Sequence, residues 1–448
     1  MKTLTHKKGV QVLSVIRGRG HWVFPSLTSV VVVMVLAGCS AEESDAIEET
    51  ITIEGKTTVT YWHNHTGRGL EAIRQVVSDF NESQDDIFVQ EIYSASTEGD
   101  DQRLLTAIAG GNPPDLAHFD RFKVAQYAAE NSLEPLTPFI EQDQYDMNLY
   151  YDYAVDETTY DDDIYAMPIT TDSRLLFYNK DRFQEVGLDP ENPPTTIEEL
   201  EEAIEKLSTI EDGRVEELGM VPWTAQGWLY TWAWTFGGDF YDMETNTLTI
   251  DHPKNVEALE WLVSIADQYD AATVTSFDTA QGSNEMDPFI QGIYSMKVDG
   301  PFSISTIQQY KPDLNYGVTP IPTPTGDDFA TWSGGTSVII PKGAHHAEEA
   351  WEFMKYFGSY EGQMTYSEIN NQMSVIDKVN EDLYHDDPIM TEFIDILPSS
   401  NARPPIPSGQ LLWNELDRAV EYAIHGRGEP QELLERVQKR VNQAEAEE

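Results

Sequence analysis

The stretch from Val221 to Tyr241, VPWTAQGWLYTWAWTFGGDFY, holds Trp223, Trp228, Trp232 and Trp234 together with Tyr230, Phe236, Phe240 and Tyr241. An indole offers a flat apolar face with a polar N–H at its edge, which matches the C–H face and peripheral hydroxyls of a pyranose ring. Trp223, Trp228 and Trp232 are therefore candidates for a sugar platform. The competing reading is a tryptophan-rich core helix, because rings at 228, 230, 232 and 234 cannot share one helical face and some must be packed.

A second group of candidates lies in the loop Trp62-His63-Asn64-His65-Thr66-Gly67-Arg68-Gly69. Alternation in TTVTYW predicts a strand from Thr57, and Leu70, Ile73, Val76, Val77 and Phe80 fall at helical spacing. Trp62, His63, His65 and Arg68 thus sit between the carboxyl end of a strand and the start of a helix, where open α/β sheets take their ligands. His63-x-His65 has the spacing of half a metal site, but two histidines without further ligands nearby read better as hydrogen-bonding or packed side chains. No metal and no cofactor is expected. Asp161-Asp162-Asp163, flanked by Tyr160 and Tyr165, lacks the alternating oxygen ligands of a calcium loop and reads as a hairpin turn. Gly334-Gly335 either lets backbone N–H groups approach a ligand or forms a plain bulge.

The elements that must position these residues need a chain of two domains, and 448 residues supply it, since single cores stop growing near about 250–300 residues. A second strand and helix are expected at Phe88–Tyr93 and Leu104–Ala109, broken by Gly110-Gly111-Asn112-Pro113-Pro114. Asp115 to Asp120 then reads as a short strand running into a helix that continues through Tyr127. Thr196-Ile-Glu-Glu199 is a capping box opening a helix to about Ser208, and Pro253 starts another with Val256, Leu259, Leu262, Val263 and Ala266 on one face. Asn315–Pro320 and Trp332–Ile340 read as strands of the first lobe, followed by helices to the end of the chain.

The formal net charge is -50, from 28 Lys plus Arg against 78 Asp plus Glu, so nucleic acid and anionic surfaces would be repelled. The acidic residues are spread over the whole surface, as expected of an exported halophilic protein whose self-repulsion is screened by salt. Cys39 is the only cysteine, which excludes an intramolecular disulfide and a cysteine-based zinc site. A basic start (Lys2, Lys7, Lys8, Arg17, Arg19) precedes an apolar run from Val30 to Ala37 that is too short to span a bilayer and ends in Leu36-Ala37-Gly38-Cys39. This resembles a bacterial lipoprotein signal, with residues 1–38 as signal peptide, Cys39 as the lipidated residue and 39–56 as an acidic tether. An ordinary signal peptide is the plainer alternative.

PPDLAHFDRFKVAQYAAENSLEPL, beginning at Pro113, resembles the corresponding segment of the extracellular solute-binding proteins of ATP-driven sugar importers, family 1, typified by maltose-binding protein. The resemblance extends from about Thr57 to Asn442. It implies an α/β, two-lobed periplasmic-binding-protein fold (type II, Venus-flytrap) with a hinge and an interlobe ligand cleft. Implied domains are 57–170 with 299–345 as the amino-terminal lobe and 171–298 with 346–448 as the carboxy-terminal lobe. By the same resemblance Asp120 and Arg121 hydrogen-bond sugar hydroxyls, a carboxylate accepting and a guanidinium donating. Tyr165 to Asp181 resembles the first crossing between lobes, which brings Asp172 and Ser173 to the cleft. Phe289 to Phe302 resembles the return crossing, with Asp299 and Gly300 in its turn and Phe302 where maltose-binding protein carries tryptophan. Pro404 to Val420 resembles the carboxyl-terminal motif, in which Trp413 takes the position that stacks on sugar.

The function so implied is a lipid-anchored, extracytoplasmic binding component of an ABC importer. It takes a neutral, maltodextrin-like oligosaccharide, hands it to permease subunits, and is expected to be a monomer and not an enzyme. The alternatives are a glycerol-3-phosphate or sugar-phosphate binder of the same class and a secreted glycoside hydrolase, which also combines aromatic subsites with carboxylates.

Overall fold

The computed structural model describes residues 50–94, 102–211, 214–269 and 287–447. The signal segment 1–38, Cys39 and the first part of the tether lie outside the described residues. No described helix is long and apolar enough to cross a membrane.

The frame is carried by β1 (Thr57–His63), β2 (Ile87–Tyr93), β3 (Leu116–Asp120), β4 (Ala166–Pro168), β5 (Leu175–Asn179), β6 (Met296–Asp299), β7 (Tyr316–Thr319) and β8 (Thr336–Ile339). One sheet has the order β2-β1-β3-β8-β4, with β1 parallel to β2 and β3, and β8 antiparallel to β3 and β4. In β1 the side chains of Val59, Tyr61 and His63 are buried in strict alternation. Behind it lies α1 (Gly67–Ser83), whose Ala72, Ile73, Val76, Val77 and Phe80 make the inner face. The second sheet, β6-β5-β7, is wholly antiparallel and β5 is buried along its length. Around it stand α2 (Ile197–Leu207), α3 (Leu229–Thr235) and α4 (Pro253–Gln268).

Local signals act where they were expected. Thr196 Oγ1 accepts from Glu199 N at 3.1 Å while Glu199 accepts from Thr196 N at 3.2 Å, so α2 opens on a reciprocal capping box. Asp161 and Asp162 both have positive φ between the paired strands Thr159–Tyr160 and Asp163–Ile164, which is the two-residue hairpin.

The lobe boundaries differ from those the resemblance implies. Asn315–Pro320 was expected in the first lobe, but Tyr316–Thr319 forms a ladder with β5, Val318 opposite Phe177, and belongs to the second sheet. The turn at Asp299-Gly300-Pro301 leads into α5 (Phe302–Tyr310) on the same side, and the chain crosses only after β7. Helices α6 (Ala347–Phe357) and α7 (Tyr360–Asn370) were expected in the second lobe and pack instead on the first, with Phe353 5.2 Å from Phe80 and 5.7 Å from Tyr61. A third crossing then leads to α8 (Gly409–Ile424) and α9 (Pro430–Glu445) on the second lobe, where Gln438 bonds Leu248 and Ile250. Short ladders tie the crossings together, Met373–Ser374 against Thr170–Thr171 and Thr331–Trp332 against Ser400–Asn401.

Candidate functional site

Trp228 is the residue immediately before α3, with an extended backbone, and stays partly exposed while every residue of the helix is buried. Near the start of α8, Trp413 meets it edge to face at a centroid distance of 4.0 Å. The second crossing contributes Trp332, 5.9 Å from Trp228 and 6.1 Å from Trp413. Trp332 is buried and donates from its indole N–H to Thr231 Oγ1 at 2.9 Å, so it forms the floor, while Trp228 and Trp413 keep part of their surfaces. Tyr230 supports Trp413 from 5.4 Å, and Phe122 of the first lobe reaches it at 5.8 Å. Indoles from three distant parts of the sequence thus make one aromatic wall at the meeting of the lobes.

Charged side chains edge this wall. The Arg174 guanidinium lies 3.8 Å over Trp332, is paired with Asp172, and donates from Nε to Gln226 at 3.2 Å. Asp172 also accepts from Gly334 N at 2.6 Å. Arg403 lies 4.4 Å over Phe122 and 5.6 Å from Trp332, bonds Glu157 at 2.8 Å and stands 3.6 Å from Asp120. Burial alone would lower its pKa, but the Glu157 and Asp120 charges outweigh this and hold it above the ordinary arginine value. Counting the buried Arg121 behind the rim with Arg174 and Arg403 against Asp120, Glu157 and Asp172, these six groups together sum to zero charge, each guanidinium already bonded to a carboxylate.

Not every expected site residue reaches this wall. Asp120 does, with 49% of its side chain exposed. Arg121 does not: it is fully buried, bonded to Glu157, Thr170, Ser333 and Gly334, because successive residues leaving a strand point to opposite sides. Ser173 is likewise buried and donates to the Phe393 carbonyl at 2.9 Å. Trp232 is a core residue, its N–H bonded to the carbonyls of Pro222 and Gly227 and its ring 4.5 Å from Trp261. Asp299 turns inward to Lys297 at 2.7 Å and accepts from Ser303 and Gly300 N. Gly300 leaves room for the Phe302 ring, which a Cβ there would meet, and Phe302 itself is exposed at the start of α5. Gly334 carries Asp172 on its N–H, and Gly335, at φ +146, lies so close to Thr170 O that no side chain fits. Trp223 is half-buried and packed against the hydrophobic core.

The loop after β1 faces the first lobe. Trp62 lies under Arg103 at 4.7 Å, Arg68 Nε donates to the Ile369 carbonyl at 2.9 Å, and His63 bonds Glu91 at 3.0 Å in a buried position. His65 meets the His118 ring edge to face at 4.3 Å, and His118 Nδ1 shares a hydrogen bond with Tyr61. Among the described residues no cluster of three or more His, Cys, Asp or Glu side chains is arranged to hold a metal.

Burial, then the nearby His63, pushes His65 down to about 4, and burial takes His118 well below the usual range. Both are neutral when folded, so between about pH 6.5 and 4 the unfolded chain takes up protons that the folded one refuses, and stability falls with pH. The stability advantage of wild type over His65→Gln, measured by urea unfolding, is expected to shrink from pH 7 to pH 4.5. An advantage independent of pH would contradict this assignment.

A cavity of about 560 Å³ is lined by Tyr151, Tyr153, Asp239, Tyr241, Asn401 and Pro404. Its tyrosines 151 and 153 stack at 5.3 Å, with Tyr151 bonded to Asp377 and Tyr153 to Thr171.

Sequence reasoning passed over Trp332, Arg174, Glu157 and Arg403. Arg403 stands one residue before the quoted Pro404 motif, and Trp332 was read only as a strand residue.

A family model described as bacterial extracellular solute-binding protein matches residues 75–392. The maltotriose-binding protein of Pyrococcus abyssi (strain GE5 / Orsay) is 24% identical over 380 residues, 82% of this chain and 77% of that protein. Among solved structures, CpMnBP1 with mannotriose bound is 26% identical with a TM-score of 0.73, covering 86% of this chain and 99% of its own. The sugar-binding protein MalE from Xanthomonas citri has a TM-score of 0.74 at 22% identity, with 87% and 98% covered.

Proposed function

We propose a saccharide receptor from one premise: this chain belongs to the bacterial extracellular solute-binding protein family. It is the substrate-binding component of an ABC importer, holds a neutral oligosaccharide between its lobes and passes it to the permease. A relative named for maltotriose and a solved structure with mannotriose bound support an uncharged oligosaccharide ligand. The observation that carries the reading is the wall of Trp228, Trp332 and Trp413 beside arginines and carboxylates that are paired with one another. Apolar ring faces take the sugar's C–H surface, and paired carboxylates and guanidinium groups offer acceptors and donors to hydroxyls without demanding a charged partner.

A glycerol phosphate or sugar phosphate would need a guanidinium or ammonium free to neutralise it, and the rim arginines are committed to Asp172, Glu157 and Asp120. A hydrolase would need two carboxyl groups free to face one glycosidic bond, whereas Glu157 and Asp172 spend their oxygens on arginine side chains. The lobes are assigned as 57–168 with 336–370 and 175–319 with 409–447, joined by the three crossings. Residues 1–38 serve as the export signal, Cys39 carries the lipid that anchors the protein outside the cytoplasm, and the acidic surface suits high salt. A melting temperature that rises between low and molar salt is the mark of that adaptation.

A thermal-shift screen tests the reading. Maltotriose or mannotriose is expected to raise the melting temperature and to be recovered intact, with glycerol 3-phosphate inert. A shift with the phosphate alone, or conversion of the trisaccharide to smaller sugars, would overturn it.

A further inference from the structure

Glu157 follows the short helix Asp152–Asp156 and is almost wholly buried, yet its two oxygens face two arginines. Oε2 accepts from Arg121 Nε at 3.0 Å and Oε1 from Arg403 Nε at 2.8 Å. Arg121, fully buried, spends its remaining donors on the other two strands of the hinge. Nη1 donates to the Thr170 carbonyl at 2.9 Å on the first crossing, and Nη2 donates to Ser333 Oγ at 3.0 Å and the Gly334 carbonyl at 2.7 Å on the second. Ser333 is bonded in turn to Thr171, and Thr171 to Tyr153. Arg403 belongs to the third crossing. One carboxylate therefore ties the first lobe to every strand that joins the lobes.

The relay is one negative charge short, with two guanidinium groups on one carboxylate. Asp120 supplies the missing charge 3.6 Å from Arg403 Nη2, and of these four groups it alone is half exposed. The relay thus reaches solvent through Asp120, and the buried Arg403, 4.4 Å over Phe122 and 5.6 Å from Trp332, sets its Nη2 donor beside that acceptor. A donor and an acceptor at that spacing suit a vicinal diol.

We propose that Arg403 contacts the saccharide, that Glu157 is the residue positioning it, and that ligand capture and hinge geometry are thereby set by the same buried relay. This rests on the saccharide reading. Held by its Nε edge, Arg403 keeps its Nη edge on the aromatic wall. Without that hold, the guanidinium turns fully onto Asp120 and withdraws both donor and acceptor from the ligand.

The test uses the full chain, with maltotriose and mannotriose as probes and titration calorimetry as readout. Glu157→Gln keeps the shape but drops the charge, and Arg403→Lys keeps the charge but loses the fork. Each is expected to weaken the affinity of whichever probe binds wild type by about tenfold or more. The double variant is expected to bind no worse than the weaker single one, because both break one chain of contacts. Asp120→Asn should weaken binding in wild type and add little on top of Glu157→Gln. A purely structural role would lower the melting temperature of Glu157→Gln while its folded fraction bound sugar as tightly as wild type, and that result would overturn the proposal. Should Glu157→Gln fail to fold, Arg403→Lys decides alone, an unchanged Kd counting against and a tenfold loss in favour. Wild type that binds neither probe nor any other neutral saccharide would sink the receptor reading and this proposal with it. Wild type that binds, with variants that bind equally, would sink the proposal only.

Discussion

Trp413→Ala is expected to raise the Kd for a neutral trisaccharide by about thirtyfold or more, the loss typical of an aromatic anchor at the centre of a binding surface. The residue touches Trp228, Trp332, Tyr230 and Phe122 at centroid distances of 4.0 to 6.1 Å, so its removal takes one ring from the ligand and also frees Trp228 to tilt. Stacking contributes about 0.5–1.5 kcal/mol per ring beyond the area buried, and disorder in the neighbouring ring adds to the loss. Trp413→Phe should recover most of the affinity, since a flat face remains. Trp228→Ala is expected to behave in the same direction. Titration calorimetry reads these effects, and unchanged affinity in both alanine variants would remove the aromatic wall from the account.

Trp232→Ala, four residues along from Trp228, is expected to do the opposite. Its side chain is fully buried against Trp261 and its N–H satisfies the carbonyls of Pro222 and Gly227, so truncation opens a large cavity and leaves buried acceptors short of a donor. Loss of about 3–5 kcal/mol is the usual cost of such a change in a core. The melting temperature and soluble yield should fall steeply while any folded fraction binds sugar as wild type does. A stable Trp232→Ala protein that no longer bound sugar would reverse the roles assigned to the two tryptophans.

These two indoles show what local pattern reveals and what it leaves open. The clustering of tryptophans between Val221 and Tyr241 is plain in the sequence, but the start of α3 decides which ring points where. Trp228 precedes the first helical residue and stays partly exposed, whereas Trp232 lies one turn inside a helix that is buried all round. The capping box at Thr196 and the turn at Asp161-Asp162 were legible because their partners lie within four residues. Arg121 and Asp299 were readable in principle. Strand alternation turns Arg121 away from Asp120, and Lys297 stands two residues before Asp299 on the same strand face.

The sheet to which Tyr316–Thr319 belongs was not legible. Its alternation suits either sheet, and only the pairing with β5, across a gap of well over a hundred residues, selects one. Trp332, Arg174, Glu157 and Arg403 share that difficulty. Each acquires its place from a contact between segments far apart in the chain, as when Arg403 meets Glu157, and no spacing near either residue announces the partner.

The central claim is that a neutral saccharide rests on indoles drawn from distant segments, and the side-chain N–H signals of the ten tryptophans report on it directly. In a ¹⁵N-labelled sample titrated with maltotriose or mannotriose to saturation, Trp228 and Trp413, assigned by single substitution, are expected to shift most, with Trp332 following. Trp232 and Trp261 should stay nearly still. Saturable sugar binding that left Trp228 and Trp413 unmoved would contradict the account and direct attention to the tyrosine-lined cavity beside Tyr151 and Tyr153.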